Sequence, residues 1–294
     1  MAKQEAESRF DFVPSPEILY LESPEQLQDR EIFVYRVHDP EPMFARQVVE
    51  RLWGIAGEVN PGTEMPIKFY RRMPHGIKSD SVHDEFNISL AVPIENQLAE
   101  ALGICQGLAF IDRKNSDLPW NLVVESPVIA SSEGDASHFL LIDLDGKVNS
   151  LDQFVIENSF KAAGFSGFLL VSGASYHYWS DFTVSADSLP AFLGTAAAAL
   201  TPQVSDNDRL LSIAFRMSVC QNLAEGQELA SQILNRNSAL FIPSSGSGFK
   251  SGSFFDFRWA CHRLLAGKLA LRVSSDRYPQ EPILISELTA RSFS

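Results

Sequence analysis

Two aspartates stand two positions apart at the end of an apolar run, in "LLIDLDGKVN" (140–149). On a β-strand the side chains of Asp143 and Asp145 point to the same face, with their Cα atoms about 7 Å apart. Two carboxylates so close to each other are costly unless a cation or hydrogen-bond donors compensate them. Carboxylate oxygens suit Mg²⁺ or Mn²⁺, so the pair predicts a divalent-metal site. The alternative is a strand that ends at Gly146 in a solvated acidic turn.

A second polar strand end follows the first across one predicted helix. In "LLVSGASYHYW" (169–179), Ser172 and Gly173 end an apolar run, and His177 lies shortly after them. A histidine at this position can neutralise a nucleotide phosphate or donate to it, and the serine hydroxyl and the backbone amides add donors. Taken alone, a histidine among aromatic residues is typical of packing. The two strand ends together are more specific than either one.

These two motifs resemble motifs I and II of the archaeo-eukaryotic primase superfamily, the primase-polymerases. In that family a hydrophobic strand ends in D-x-D, and a later strand ends in S-G-x-x-Y-H or a similar sequence. The third motif of the family is an aspartate after a hydrophobic residue, followed by an arginine in a strand. The stretch "FFDFRWACHRLLAGKLALRVSS" (254–275) offers Asp256 and Arg272 for these positions. The glycine that usually precedes the Tyr-His pair is Ser175 here.

The resemblance implies a metal-dependent nucleotidyltransferase that acts on nucleoside triphosphates and on single-stranded or primer-template nucleic acid, including DNA. Two Mg²⁺ or Mn²⁺ ions about 4 Å apart would activate a 3′-hydroxyl and stabilise the leaving pyrophosphate. The implied metal ligands and catalytic residues are Asp143, Asp145 and Asp256. The candidate substrate-binding residues are Ser172, Gly173, His177, Lys250, Arg258 and Arg272.

Two alternatives stay open at the level of sequence. "LIDLDGKV" is similar to the D-x-D-G-T-[LV] nucleophile strand of haloacid-dehalogenase-type phosphatases, with Lys147 in place of the threonine. In such an enzyme Asp143 would attack phosphorus and Asp145 would act as the acid and base. The other alternative is a non-catalytic subunit that keeps a degenerate primase-like fold for nucleotide binding or protein interaction.

The distribution of charge bears on the partners. The net charge is −13, which argues against a protein that coats nucleic acid. Residues 1–150 contain 25 acidic and 13 basic side chains, whereas residues 151–294 contain 12 and 11. The acidic half favours a basic protein partner, and a cleft in the other half could attract phosphates. The basic, aromatic stretch "IKFYRRMPHGIK" (67–78) suits single-stranded nucleic acid or is a solvated loop.

The hydrophobic pattern predicts an α/β (α+β) fold, and the resemblance implies a primase-polymerase-like catalytic core with mixed sheets flanked by helices. We expect an acidic N-terminal α/β region over 1–115 and the catalytic core over 116–294. Predicted helices span 45–57, 150–164, 188–200, 206–236 in one or two pieces, and 256–267. Predicted strands span 86–93, 107–112, 121–126, 138–145, 167–173, 239–243 and 269–274, and a flexible loop spans 243–253.

The remaining features of the sequence indicate the cellular location. Its 294 residues hold three distant cysteines without a C-x-x-C pair, and the first residues lack the apolar core of a signal peptide. No apolar run reaches the roughly 18 residues of a membrane span. We therefore expect a cytoplasmic protein without a membrane partner.

Overall fold

Two antiparallel sheets and the helices that surround them make up the part of the chain that the structure, a computed structural model, describes. That part is residues 43–59, 64–71, 88–93, 120–128, 136–173, 175–243, 252–275 and 282–289. The predicted α/β (α+β) class, with sheets flanked by helices, is confirmed, and every described strand pairing is antiparallel.

The first sheet contains four strands in the order β2-β1-β3-β8. Its strands are β1 (Glu64–Arg71), β2 (Ile88–Pro93), β3 (Trp120–Glu125) and β8 (Ala270–Ser275). The strands predicted over 86–93, 121–126 and 269–274 are therefore confirmed, whereas the strand predicted over 107–112 lies outside the described residues. This sheet joins strands from both predicted regions, since β1 and β2 precede residue 115 and β3 and β8 follow it.

The second sheet contains five strands in the order β4-β5-β7-β6-β9. Its strands are β4 (Pro127–Val128), β5 (Ser137–Leu144), β6 (Gly167–Ser172), β7 (Ser175–Ser185) and β9 (Ile283–Leu288). The strand, helix and strand predicted over 138–173 are all present, and β7 lies between the two strands. The chain returns through a tight hairpin in which Ser172 pairs with Ser175. His177 therefore lies inside β7 and not in a loop beyond a strand end.

Six α-helices and one short 3₁₀ helix (Ser205–Asn207) occur among the described residues. The α-helices are α1 (Ala45–Val59), α2 (Ser150–Ala162), α3 (Leu189–Ala199), α4 (Asp208–Ser218), α5 (Leu223–Leu234) and α6 (Phe257–Leu265). All of them were predicted within a few residues, and the 206–236 segment forms two helices. The N-cap of α2 is Asn149, whose side chain accepts from the amide of Asp152 at 2.9 Å. None of these helices combines the length and the apolarity that a membrane crossing requires.

The strand predicted over 239–243 is wrong, because these residues form turns and coil. Two guanidinium groups bind its carbonyls in place of a neighbouring strand. Arg209 donates to the oxygens of Ala239 at 3.0 Å and Phe241 at 2.5 Å. Arg258 donates to the oxygen of Ile242 at 2.6 Å. Side-chain donors thus satisfy backbone acceptors that a strand would have paired within a sheet.

The core lies on both faces of the five-stranded sheet. Leu140, Leu141 and Ile142 in β5 are fully buried, although their side chains alternate between the two faces. On one face, the ring of Tyr178 stacks on Phe160 of α2 with ring centroids 4.1 Å apart. A strand buried on both faces makes a rigid support for the polar residues that follow it.

A buried polar junction connects the two sheets where β3 passes into β4. The Ser126 hydroxyl accepts from the amide of Leu269 at 2.9 Å and lies 2.9 Å from Nδ1 of His138. The Ser126 amide donates to the Leu269 carbonyl at 2.9 Å. Beside this junction, Lys268 donates to the buried carboxylate of Glu125 at 2.7 Å. The hydroxyl has one proton and two lone pairs, so it can donate to Nδ1 of His138 or accept from Nδ1–H, depending on the tautomer.

We predict that the His138 junction makes the protein less stable in acid. Burial lowers the pKa of His138 from its ordinary 6.5 to about 4. The unfolded chain therefore takes up this proton at a higher pH than the native chain does. The contribution of neutral His138 to the free energy of unfolding is fully present above pH 6.5 and is lost as the pH falls towards 4. The largest loss is about 3 kcal/mol.

The measurement is the urea-unfolding free energy at pH values from 7.5 down to 4, for the wild type and for His138→Asn. The asparagine carbonyl can accept from Ser126 but does not titrate near these pH values. The difference between the two proteins should therefore shrink or reverse as the pH falls. A difference that stays constant over this range would contradict the prediction.

Candidate functional site

The centre of the candidate site is a cross-strand pair on the five-stranded sheet. Asp143 of β5 lies directly opposite His177 of β7. The Oδ1 atom of Asp143 lies 3.5 Å from Nε2 of His177. The histidine side chain is 8% exposed and the aspartate side chain is 34% exposed, so the carboxylate is accessible from outside and the imidazole supports it from within. A protonated imidazole at this distance would stabilise the aspartate charge.

Asp145 follows the last residue of β5 and is held through its backbone. Its amide donates to the carbonyl of Phe254 at 2.8 Å. On the other side, the hydroxyl of Ser175 donates to the carbonyl of Leu144, and it accepts from the amide of Gly146 at 3.3 Å. The Asp145 side chain is partly exposed. The second aspartate of the motif therefore stands in a short segment that is bound on both edges.

The third predicted acid arrives at the same strand end from more than a hundred residues away. Phe255 forms an isolated antiparallel bridge with Leu144. Asp256 is the next residue, so its backbone lies alongside that of Asp143. The end of β5 is thus flanked by β7 on one edge and by the segment before α6 on the other. The structure brings the backbones of all three predicted acids together at one end of one sheet.

Several hydrogen bonds fix the segment that carries Asp256. The Phe254 amide donates to the carbonyl of Leu200 at 3.0 Å. The hydroxyls of Ser253 and Thr201 lie 2.8 Å apart in the interior. The side chain of Asn207 donates to the Gly252 carbonyl at 2.8 Å, and Gly252 has a positive φ of 76°. The end of α3 and the turn before α4 therefore determine where this acid stands.

The Asp256 carboxylate serves as the N-cap of α6. It accepts from the amide of Trp259 at 2.9 Å. Burial raises the pKa of Asp256 above its ordinary value, against the opposing effects of backbone hydrogen bonds from Trp259 and Arg258 and of the charges of Arg258 and His262. The helix N-terminus stabilises a negative charge at this position. One oxygen of this carboxylate is therefore already engaged by the fold.

The donor chemistry at this strand end only partly fits a divalent metal. Asp143 and Asp145 supply partly exposed carboxylate oxygens, the ligands that Mg²⁺ and Mn²⁺ prefer. Among the residues that the structure describes, however, no three histidine, cysteine, aspartate or glutamate side chains are arranged to hold a metal ion. The two aspartates of the D-x-D motif could hold such an ion, while Asp256 would have to share its carboxylate between the ion and the helix cap.

The predicted substrate-binding residues fall into three groups. Ser172 and Gly173 form the turn of the β6–β7 hairpin beside His177, and the φ of 66° at Gly173 favours glycine. Arg258 lies two residues beyond Asp256, and its guanidinium binds the Ile242 carbonyl. The backbone of Arg272 lies in β8 of the other sheet, opposite Val123, while its side chain and all of Lys250 are outside the described residues.

Two residues to which the sequence assigned no role, Tyr176 and Ser175, hold the D-x-D loop in place. The Tyr176 hydroxyl accepts from the amide of Asn149 and donates to its carbonyl, both at 3.0 Å. Burial raises the pKa of Tyr176, so the phenol stays protonated and able to donate. Ser175 performs the equivalent task at the start of the loop. The sequence signal for this role was the serine at position 175, where the family usually has glycine. The hydrogen bonds of Ser175 join different strands, so the sequence alone could not predict them.

A scan against protein-family models matches residues 112–283 to the family described as Archaeo-eukaryotic primase 1D-like. The match covers more than half of the chain and includes both strand-end motifs and the late aspartate. The chain belongs to this family of archaeo-eukaryotic primase-like proteins. The predicted resemblance is thereby confirmed, and the protein is related to the primase nucleotidyltransferases. A search of the curated proteins and a search of the solved structures each gave no match.

We predict that Asp256 contributes to stability as a helix cap. Asparagine is also a good N-cap, so Asp256→Asn should leave the free energy of unfolding nearly unchanged. Asp256→Ala removes the acceptor and should cost about 1 kcal/mol. Urea denaturation followed by circular dichroism measures both variants. Equal destabilisation by the two substitutions would show that the cap is not what this side chain contributes.

Proposed function

We propose that this chain is a metal-dependent nucleotidyltransferase of the primase-polymerase type, which uses nucleoside triphosphates to extend nucleic acid. The observation that carries the proposal is the convergence at the end of β5. Asp143 lies opposite His177 on one side and alongside the backbone of Asp256 on the other. Membership of the primase-like family supports this class of reaction over the phosphatase alternative.

In this proposal the carboxylates of Asp143 and Asp145 hold Mg²⁺ or Mn²⁺, and Asp256 contributes from the N-terminus of α6. When bound, the ions would lower the pKa of the attacking 3′-hydroxyl and neutralise charge on the leaving pyrophosphate. The Asp143 carboxylate presents one side to solvent and the other to the imidazole of His177, 3.5 Å away. That arrangement keeps the acid oriented towards an incoming ligand.

The triphosphate would lie beside the β6–β7 hairpin. Ser172 supplies a hydroxyl and Gly173 allows the backbone to approach closely, while His177 supplies a donor that becomes cationic when protonated. Arg258, Lys250 and Arg272 are proposed to add positive charge from the later part of the sequence. Single-stranded or primer-template nucleic acid is the proposed second substrate, and a basic protein is the proposed partner of the acidic first half.

A second candidate function follows from the state of Asp256. Its carboxylate caps α6, and among the described residues no three ligating side chains are arranged around a metal. A chain with only two available carboxylates could bind a nucleoside triphosphate with one cation and not turn it over. This alternative is a non-catalytic nucleotide-binding subunit, and it predicts binding without pyrophosphate release.

Thermal unfolding with Mn²⁺ and a nucleoside triphosphate separates these functions. A ligand that binds only the native state raises the free energy of unfolding by RT ln(1 + [L]/Kd), where [L] is the concentration of the ligand. We expect the melting temperature to rise with Mn²⁺ and triphosphate together, and primer extension to accompany the shift. A shift without extension would select the non-catalytic subunit, and release of phosphate from small phosphomonoesters would select the phosphatase.

The variants that test the proposed metal site are Asp143→Asn and Asp145→Asn, with Glu228→Gln as the control. Loss of an outer-shell partner of a metal already costs about 10- to 100-fold, so loss of a ligand should lower extension by more than about a hundredfold. Glu228 is an exposed carboxylate on α5, and its loss should change little. Undiminished extension by either aspartate variant would reject the proposed metal site.

A further inference from the structure

The hydroxyl of Ser175 bonds the peptide groups on both sides of Asp145. It donates its proton to the carbonyl of Leu144 and accepts from the amide of Gly146 at 3.3 Å. A hydroxyl has one proton and two lone pairs, so it can make both bonds at the same time. Ser175 thereby bonds a carbonyl and an amide at the point where β5 has ended.

Ser175 is not needed to form the turn in which it stands. The hairpin closes by pairing Ser172 with Ser175, and the left-handed conformation falls on Gly173, with a φ of 66°. Ser175 itself is the first residue of β7 and extended. A glycine at this position would therefore satisfy the backbone equally well, but it would remove the only group that reaches Leu144 and Gly146 from this position.

The loop around Asp145 and Gly146 is closely packed by neighbouring segments. A Cβ atom added to Gly146 would lie 3.3 Å from side-chain atoms of both Ile156 and Phe254. The amide of Asp145 is bound to the Phe254 carbonyl at 2.8 Å on the opposite edge. The backbone around Asp145 is thus confined between the segment before α6 and the start of β7, where Tyr176 packs near Gly146 and Ser175 makes the hydrogen bonds to Leu144 and Gly146.

We propose that Ser175 is a positioning residue that fixes Asp145 relative to Asp143. The consequence for ligand binding rests on the proposed function, because it requires that the two carboxylates hold a cation together. Without the hydroxyl, the Leu144 carbonyl and the Gly146 amide lose this partner and the loop samples more conformations. The carboxylate of Asp145 then spends less time at the distance from Asp143 that one ion needs.

The test compares Ser175→Ala, Ser175→Thr and Ser180→Ala with the wild type. Threonine keeps the hydroxyl, and alanine removes it. Ser180 is a matched control in the same strand, because its hydroxyl accepts from the Leu140 amide at 2.8 Å and donates to the Phe182 carbonyl at 2.6 Å. It bonds β5 through one backbone amide, near the middle of the strand and away from the acids.

The first measurement is amide hydrogen exchange by NMR, which needs no metal. We expect exchange of the Gly146 amide to be faster by about fivefold in Ser175→Ala, the usual effect of one lost hydrogen bond. Ser175→Thr should restore the wild-type rate, and Ser180→Ala should leave it unchanged after correction for any global loss of stability. Unchanged exchange in Ser175→Ala overturns the proposal whatever the ligand does.

The second measurement is Mn²⁺ affinity by calorimetry together with the steady-state constants for nucleotide addition. We expect about a fivefold weaker Mn²⁺ affinity in Ser175→Ala, a lower kcat with little change in the KM for the primer, and rescue by threonine. Faster exchange with full Mn²⁺ affinity would also overturn the positioning role. If the wild type neither binds Mn²⁺ nor adds nucleotides, the proposed function fails, and the exchange measurement still decides whether Ser175 fixes the loop.

Discussion

The antiparallel contact between Leu144 and Phe255 is the constraint on which the candidate site depends. It brings a segment from late in the chain against the last residues of β5, which β7 already borders on the other edge. Because antiparallel pairing sets neighbours residue by residue, this single contact carries Asp256 to Asp143. The bonds from Gly252, Ser253 and Phe254 to the end of α3 and the turn before α4 hold the contact in place.

Placing several acids at one strand end has an electrostatic cost, and the fold reduces it differently at each acid. Asp143 has the imidazole of His177 within 3.5 Å and retains partial exposure to water. Asp256 is more deeply enclosed, which raises its pKa, but it lies at the N-terminus of α6 and accepts a backbone hydrogen bond. Burial therefore penalises the charge of Asp256, while the helix terminus partly stabilises it. The two carboxylates therefore lie in different electrostatic surroundings.

The same carboxylate of Asp256 links the fold to the proposed chemistry. An acid that caps a helix is oriented by that helix, so a cation that recruits it would also act on α6 and on Arg258, whose guanidinium holds the turn at Ile242. In the proposed function, the two oxygens of this carboxylate would have to serve both the helix cap and a cation. The primase-like family membership is compatible with nucleotide transfer and with nucleotide binding alone, since a fold does not by itself establish an activity.

Local sequence patterns determined most of the elements. The apolar run before Asp143 and the hydrophobic patterns over 86–93 and 150–164 each predicted the right element, because these signals arise within a few neighbouring residues. The motifs around Asp143, Asp145 and His177 indicated the right family for the same reason. The strand predicted over 239–243 failed because Arg209 and Arg258, distant in sequence, bind its carbonyls. Only the tertiary structure decided that His177 lies inside β7 opposite Asp143, that Ser175 and Tyr176 hold the acidic loop, and that Asp256 lies alongside Asp143. Each of these depends on strand pairing and packing between distant segments, which no local pattern encodes.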